Sequence, residues 1–270
     1  MSLKMVVTDL DGTLLTSTDR LTQASVNAFI HLKQQGILPV VATGRMLSEA
    51  QFAVEGIGAT NYFMGMNGAQ TVNLQTRETI YQRTLDLATA QALADILDEL
   101  GVFYQIYSHT SVYTRQHWLN DMSASGMKAE YIRRFASSIL PFSQVNDLGA
   151  VKMFVVCKDI NKQQLMRERL ASLESIILVS SYPNYFEILP KGLNKGDALL
   201  RLCAHLGIAL HEVAAIGDSD NDIEILSQAG VAIAMGNAFQ QVKDVADHIV
   251  PGNDDDGVAY ALTHIIPQYL

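Results

Sequence analysis

The feature that most constrains this chain is a change of rhythm between its two ends and its middle. Near the start, Lys4–Asp9 (KMVVTD) is a β-branched run that ends in polar residues. A helix capped by Thr22 is predicted next, with Val26, Phe29 and Ile30 on its apolar face and Gly36 past its end. Ile37–Ala42 (ILPVVA) is the second strand. The same rhythm returns late, with Leu199–Leu206 helical, Val213–Ile216 a strand, Ile223–Leu226 helical and Val231–Met235 a strand. Strands that are almost continuously apolar, alternating with helices, predict a parallel sheet covered on both faces.

The middle follows other rules. Leu93, Ile96, Leu97 and Leu100 fall at helical spacing, and Gly101 stops the pattern. Phe103–Tyr107 and Val112–Arg115 flank the polar turn Ser108-His109-Thr110 and read as a hairpin. Val151–Cys157 is a strand, Gln163–Leu173 a helix, and Ile177–Ser180 and Phe186–Leu189 are further strands. Hairpins with scattered helices predict an antiparallel sheet with helices on one face. The fold class expected is therefore α/β, a Rossmann-like parallel-sheet core at residues 1–82 and 189–270, with an inserted α+β domain at 83–188.

A length of 270 residues and 49% hydrophobic content supply enough apolar surface for two cores. The net charge of −9 argues against nucleic acid or an anionic membrane as partner, since both require basic patches. No apolar run approaches the roughly 18 residues of a membrane span. The opening Met1–Asp11 lacks a signal-peptide layout, so a cytoplasmic location is expected. Cys157 and Cys203, far apart in sequence, read as two buried free thiols rather than a disulfide or a metal cluster.

In an open parallel sheet, ligands bind outside the carboxyl ends of the strands. The first strand ends in Asp9-Leu10-Asp11-Gly12-Thr13, where acids two residues apart on an extended chain point the same way. The second ends in Thr43-Gly44-Arg45, a hydroxyl followed by flexible backbone, which in isolation is better read as a turn with a helix cap at Thr43. Asn67-Gly68-Ala69 is a turn with no chemistry of its own. Lys195, flanked by Asn194 and Gly196, opens a helix from which its ammonium could reach a cleft. Val213–Ile216 leads into Gly217-Asp218-Ser219-Asp220-Asn221-Asp222, where a helix cap at Ser219 or Asp220 accounts for one polar residue but not for three aspartates.

If Asp9, Asp11 and Asp218 converge, each pair at about 4 Å repels by about 4 kcal/mol at an effective dielectric of 20. Only a cation between them makes that tolerable, and carboxylate oxygens without His or Cys select Mg²⁺ over zinc. A calcium loop would need regularly alternating ligands and a distal glutamate, which the segment lacks. Strand-end acids, a hydroxyl, a lysine and a second acid cluster suit phosphoryl transfer, with a carboxylate attacking the phosphate.

These four segments, in this order, resemble the haloacid dehalogenase superfamily of phosphohydrolases, and within it the Cof-like group of bacterial sugar-phosphate phosphatases. Asn67-Gly68-Ala69, the run Phe186–Gly196, Ala234-Met235-Gly236-Asn237-Ala238 and Asp256-Gly257-Val258-Ala259 add to the resemblance, which covers the two outer parts of the chain. It implies Asp9 as nucleophile and Mg²⁺ ligand. It implies Asp11 as general acid and then base, with its backbone carbonyl on the metal. Phosphoryl oxygens would be held by backbone N–H groups near Leu10 and Gly44, the Thr43 hydroxyl, Lys195 and the Asn221 amide. Asp218 would be the other direct metal ligand, with Asp222 as ligand or support.

The resemblance also implies that the inserted domain caps the site, and that the partner is a small phosphorylated metabolite acted on by a monomer or homodimer. The alternatives are a phosphomutase of the same superfamily, a signalling receiver domain, which is about half this length, and a non-catalytic protein that binds a phospho-ligand. Which of His109, Arg115, His117, Trp118, Arg133 or Arg134 meets a substrate is not legible in the sequence.

Overall fold

The computed structural model describes residues 2–108, 110–145, 150–182 and 184–270, without the side chains of Arg134, Phe135, Ser181 and Tyr182. In chain order the first elements are β1 (Met5–Thr8), α1 (Gln23–Gln34), β2 (Leu38–Ala42), α2 (Leu47–Gly56), β3 (Tyr62–Gly65), β4 (Gln70–Asn73) and β5 (Thr79–Gln82). The middle contributes α3 (Leu87–Glu99), β6 (Phe103–Tyr107), β7 (Val112–Thr114), α4 (Gln116–Asn120), α5 (Ala129–Phe135), β8 (Ile139–Pro141), β9 (Lys152–Val156), α6 (Ile160–Leu170), β10 (Ile176–Tyr182) and β11 (Tyr185–Pro190). The last part holds α7 (Lys195–Leu206), β12 (Val213–Gly217), α8 (Ile223–Gln228), β13 (Val231–Ala234), α9 (Gln240–Lys243), β14 (His248–Ile249) and α10 (Gly257–Tyr260).

The chain divides into two compact units, Met1–Gln82 with Asn194–Leu270, and Arg83–Leu193. The second unit runs past residue 188 because β11 continues to Pro190, which pairs with Ile176 of β10. In the first unit one sheet has the order β14-β13-β12-β1-β2-β3-β4-β5. The pairs from β14 through β3 are parallel, and β4 and β5 are added antiparallel. β1 to β3 extend the sheet in one direction and β12 to β14 in the other, so the order reverses beside β1. That reversal opens a crevice at the carboxyl ends of the strands. β1, β12 and β13 are buried along their whole length, as strands covered on both faces must be.

Thr22 caps α1, its hydroxyl oxygen accepting the Ser25 N–H at 3.2 Å. The buried stripe of that helix differs from the expected one: Ser25, Ala28, Phe29 and Leu32 face inward, whereas Ile30 is exposed. Small residues at 25 and 28 let the helix lie close to its neighbours, and this outweighs the bulk of Ile30.

The second unit has a six-stranded sheet of order β10-β11-β9-β6-β7-β8. It is antiparallel except for the β7–β8 pair. Leu93 and Leu97 of α3 and Met166 and Leu170 of α6 pack with Tyr104, Ile106, Met153 and Val155 on one sheet face. Phe103 and Val156 point the other way and meet Met122 and Ile139. The β6–β7 hairpin pairs Ile106 with Tyr113 and Tyr107 with Val112. His109 of its turn lies outside the described residues. Cys157 and Cys203 are both buried and unbridged. Among the described residues no helix is long and apolar enough to cross a membrane.

Candidate active site

Chain geometry at the strand ends brings the polar residues of the first unit together. The Asp9 N–H donates to Ile216 O at 3.0 Å, so β1 stays tied to β12 up to the residue where its polar tail begins. The chain then leaves in a wide turn, Leu10–Leu14, closed by the Leu15 N–H donating to Leu10 O at 2.9 Å. Gly12 has φ +76°, and a Cβ there would fall 2.4 Å from Asp218 Oδ2. Both the backbone and the neighbouring acid therefore require glycine. The Thr13 hydroxyl donates to Asp218 Oδ1 at 2.7 Å and ties the two acid-bearing turns together.

Lys195 is the first residue of α7, whose cap is Asn194, accepting the Asp197 N–H at 2.7 Å. The helix start aims the lysine inward, where it is fully buried at 0% exposure. Its Nζ donates to Asp9 Oδ1 at 2.6 Å and to Asp222 Oδ1 at 2.7 Å. Asp222 Oδ2 accepts the N–H groups of Asp218 and Ser219 at 3.0 and 3.1 Å. Asp222 thus has both oxygens engaged, whereas Asp9 and Asp218 are each engaged through Oδ1. Of the two expected caps, Ser219 takes the cap position of the short turn Asp220–Asp222, and the Asp222 carboxylate accepts its N–H. The Ser219 hydroxyl donates to Asn221 Oδ1, and Asp220 accepts from Gln241.

Asp9, Asp218 and Asp222 each offer a carboxylate oxygen within 4.8 Å of the others. Burial is the main force on Asp9. It outweighs the Lys195 ammonium, Asp222 and Asp218 add to it, and the carboxyl is pushed up to about 8. Burial likewise raises Asp218 to about 6, against the Thr13 hydrogen bond and with Asp222 adding. For Lys195 burial works against the charge, but Asp9 and then Asp222 outweigh it, and the ammonium is held above the ordinary lysine range. Three acids around one ammonium carry an excess of negative charge that a cation would relieve. The donor set is all carboxylate oxygen, which fits a hard divalent ion.

Asp11 stands apart from this group. The Arg45 Nε donates to its two oxygens at 3.1 and 2.9 Å, and a terminal nitrogen of Arg45 also contacts it. Arg45 reaches Asp19 as well, at 2.7 Å. Thr43 is fully buried at the end of β2, and its hydroxyl oxygen accepts the Arg45 N–H at 3.1 Å. α2 begins only at Leu47, so Thr43 belongs to the turn and is no helix cap. Leu10 and Gly44 present backbone at the ends of β1 and β2. Asn221 is exposed, and its Nδ2 donates to Asn67 Oδ1 at 2.8 Å. The sequence therefore concealed two members of the group. Asn67 looked like a plain turn residue, and Arg45 like the tail of a hydroxyl motif. A strand end at Tyr62–Gly65 was the one signal available for Asn67, since the ends of β1, β2 and β12 all carry candidate site residues.

In the second unit, three of the residues considered as substrate contacts meet on one carboxylate. Asp98 accepts from Trp118 Nε1 at 3.2 Å, and Arg115 Nε and His117 Nε2 lie 3.2 and 3.3 Å from its oxygens. The Tyr104 hydroxyl joins them at 3.2 Å. His109 and the Arg134 side chain lie outside the described residues.

Residues 6–262 match the haloacid dehalogenase-like hydrolases. Phosphatase YwpJ of Bacillus subtilis (strain 168) is 29% identical, over 98% of this chain and 100% of that protein. The 5-amino-6-(5-phospho-D-ribitylamino)uracil phosphatase YcsE of the same organism is 25% identical, over 98% of this chain and 96% of that protein. A haloacid dehalogenase-like hydrolase from Bacteroides thetaiotaomicron superposes with a TM-score of 0.82 at 26% identity, covering 98% of this chain and 100% of that one. With Asp9, Asp218, Asp222 and Lys195 in one group, these likenesses identify the chain as a phosphatase belonging to the Cof-like group of the haloacid dehalogenase superfamily.

Proposed function

We propose that this enzyme hydrolyses small phosphate monoesters of the sugar or polyol phosphate class, through an aspartyl-phosphate intermediate on Asp9. The observation that carries the reading is the Asp9–Lys195–Asp222 arrangement at the carboxyl end of β1, next to Asp218. Asp9 Oδ1 is held by Lys195, which leaves Oδ2 to act as nucleophile. Asp9 attacks phosphorus while Asp11 gives its proton to the departing ester oxygen, and the alcohol leaves. Asp11 then takes a proton from water. That water attacks the phosphorus of the acyl phosphate, phosphate departs, and the Asp9 carboxylate is regenerated.

Lys195, the Thr43 hydroxyl, the backbone N–H groups near Leu10 and Gly44 and the Asn221 amide are assigned to the phosphoryl oxygens. Asp218, with an oxygen to spare, the Asp9 carboxylate and the Asp11 carbonyl would hold Mg²⁺, while Asp222 fixes Lys195 and the turn that carries Asp218. The ion, when bound, neutralises charge on the phosphoryl group and aligns it with Asp9. For its proton transfers Asp11 must leave Arg45, take up a proton from solvent and turn toward the ester oxygen.

The substrate class rests on the resemblance and on the phosphoribityl compound in the name of the YcsE relative, a phosphorylated polyol chain. A partner of that size, a cytoplasmic location and a monomer or homodimer belong to the same reading. The experiment is phosphate release from a panel of sugar, polyol and aryl phosphates, with and without Mg²⁺, for wild type and Asp9→Asn. Mg²⁺-dependent turnover that disappears in the variant supports the mechanism, and the panel ranks the substrates. Turnover that survives in Asp9→Asn means another nucleophile.

A further inference from the structure

We propose that Asn67 is a positioning residue for phosphate capture: together with Ser219 it sets the direction in which the Asn221 carboxamide points. The inference rests on the assignment of Asn221 to a phosphoryl oxygen and supplies what that assignment lacks, a reason for an exposed amide to hold one orientation.

The loop after β3 is unusual in its backbone. Met66, Asn67 and Gly68 have φ of 55°, 57° and 90°, three consecutive residues in the left-handed region. Such a run is costly for residues with a Cβ and is maintained only where surrounding contacts require it. Here the Asn67 N–H donates to Thr43 O at 2.9 Å and the Met66 N–H to Arg45 O at 3.1 Å. The loop is therefore laid against Thr43-Gly44-Arg45. A Cβ on Gly44 would fall 3.0 Å from Asn67 Oδ1, so the Asn67 carboxamide rests on the Gly44 backbone.

From that place Asn67 Oδ1 accepts one N–H of Asn221 at 2.8 Å, while the Ser219 hydroxyl donates to Asn221 Oδ1 at 2.8 Å. A primary amide has two N–H donors and one carbonyl oxygen. Asn67 occupies one donor and Ser219 marks the oxygen, so the second N–H is the group that remains for a phosphoryl oxygen. Turning the Asn221 amide over would set two carbonyl oxygens against each other. Asn221 is exposed, so hydrogen bonds rather than packing select its orientation.

The test compares Asn67→Gly, Asn221→Ala and the double variant. KM and kcat are measured with a small aryl phosphate and Mg²⁺, along with inhibition by inorganic phosphate and thermal melting. Glycine at 67 keeps the left-handed backbone available, so the fold is retained while the acceptor is lost. Asn221→Ala is expected to weaken phosphate inhibition about tenfold or more, and Asn67→Gly roughly three- to tenfold. KM should follow phosphate inhibition in each, and the double variant should match Asn221→Ala alone, since Asn67 acts through Asn221. Phosphate inhibition unchanged in Asn67→Gly but weakened in Asn221→Ala overturns the positioning role and leaves the Asn221 assignment standing. Losses that multiply in the double variant also overturn it, because Asn67 then acts by a separate route. No change in Asn221→Ala removes the assignment on which the inference rests.

Discussion

Asp9 in the first unit and Asp98 in the second are both aspartates among polar neighbours, but they differ in how many donors surround them and how deeply they are buried. Asp98 receives hydrogen bonds from an indole and a phenol, has a guanidinium and an imidazole within 3.2 and 3.3 Å, and its side chain is 20% exposed. Its donors suffice for one carboxylate, and they join α3 to β6 and α4. Around Asp9 the ratio is inverted: three carboxylates face Lys195, and the lysine, Asp9 and Asp222 are almost fully buried. A group that only joined elements together would not accumulate unbalanced negative charge out of water, where each uncompensated ion costs several kcal/mol. The deficit of positive charge is what a group able to hold a cation is expected to show, and the larger set of donors is what a tie between elements is expected to show.

The most direct way to break this comparison is to remove the charge proposed to do the chemistry. Asp9→Asn should lower phosphate release by on the order of a thousandfold or more in saturating Mg²⁺. It should not lower the melting temperature without the ion, because it removes one of the crowded acids. A variant that melts early and loses activity in proportion would mean that Asp9 is structural.

Next in size is Lys195→Met. The shape is kept, but Asp9 and Asp222 lose their shared ammonium, and removing one partner of a buried ion pair costs about 3–5 kcal/mol. Denaturant unfolding should show this loss without added metal, and millimolar Mg²⁺ should return part of it by entering the same carboxylate group. A loss below about 1 kcal/mol would show that the acids are better solvated than their burial implies.

How much of this was legible in the sequence follows from which contacts are local. The acids at the ends of β1 and β12 could be read because parallel strands deliver their last residues to one edge, so position along a strand implies position in space. The stripe on α3 could be read for the same reason, from helical spacing alone. Asn67 could not, since its partner Asn221 lies 154 residues away and asparagine-glycine reads as a turn. Nor could the grip of Arg45 on Asp11, because the acid was expected beside Asp9 and the arginine had no assigned task. Arg115, His117 and Trp118 looked like candidates for ligand contact, and only the folded chain shows them converging on Asp98. In α1 the choice between two overlapping apolar stripes was decided by close packing at Ser25 and Ala28, which periodicity weighs too little.

A pH series sharpens the contrast at smaller cost. Asp9 and Asp218 stand at about 8 and about 6 in the fold, against 3.8 for an ordinary aspartate. The folded state therefore holds more protons than the unfolded one between these values, and stability falls as pH rises through the window. Without metal the melting temperature should drop by several degrees from pH 4 to about pH 8. Asp86, Asp121 and Glu212 are shifted downward and lose their contribution only at lower pH, so they do not mask the trend. Saturating Mg²⁺ should flatten the curve, since the ion competes with protons for the same oxygens and binds better as they leave. A stability that rises across the window in metal-free buffer would contradict the burial that sets both values.

The smallest effect belongs to the second unit. Asp98→Asn keeps an acceptor oxygen but replaces the other with an NH₂ group that must face donors from Arg115, Trp118 or Tyr104. The loss should be about 1–2 kcal/mol, the usual cost of a mismatched hydrogen bond to a partly buried charged group. Arg115 retains Asp95 as a second partner, which limits the damage. Turnover of a small aryl phosphate at a temperature where the variant is folded should stay within about twofold of wild type, as expected of a tie that binds no substrate. If activity fell as far as in Asp9→Asn while the melting temperature held, the Asp98 group would belong to the chemistry. The contrast between a satisfied carboxylate and a crowded one would then no longer separate structure from function in this chain.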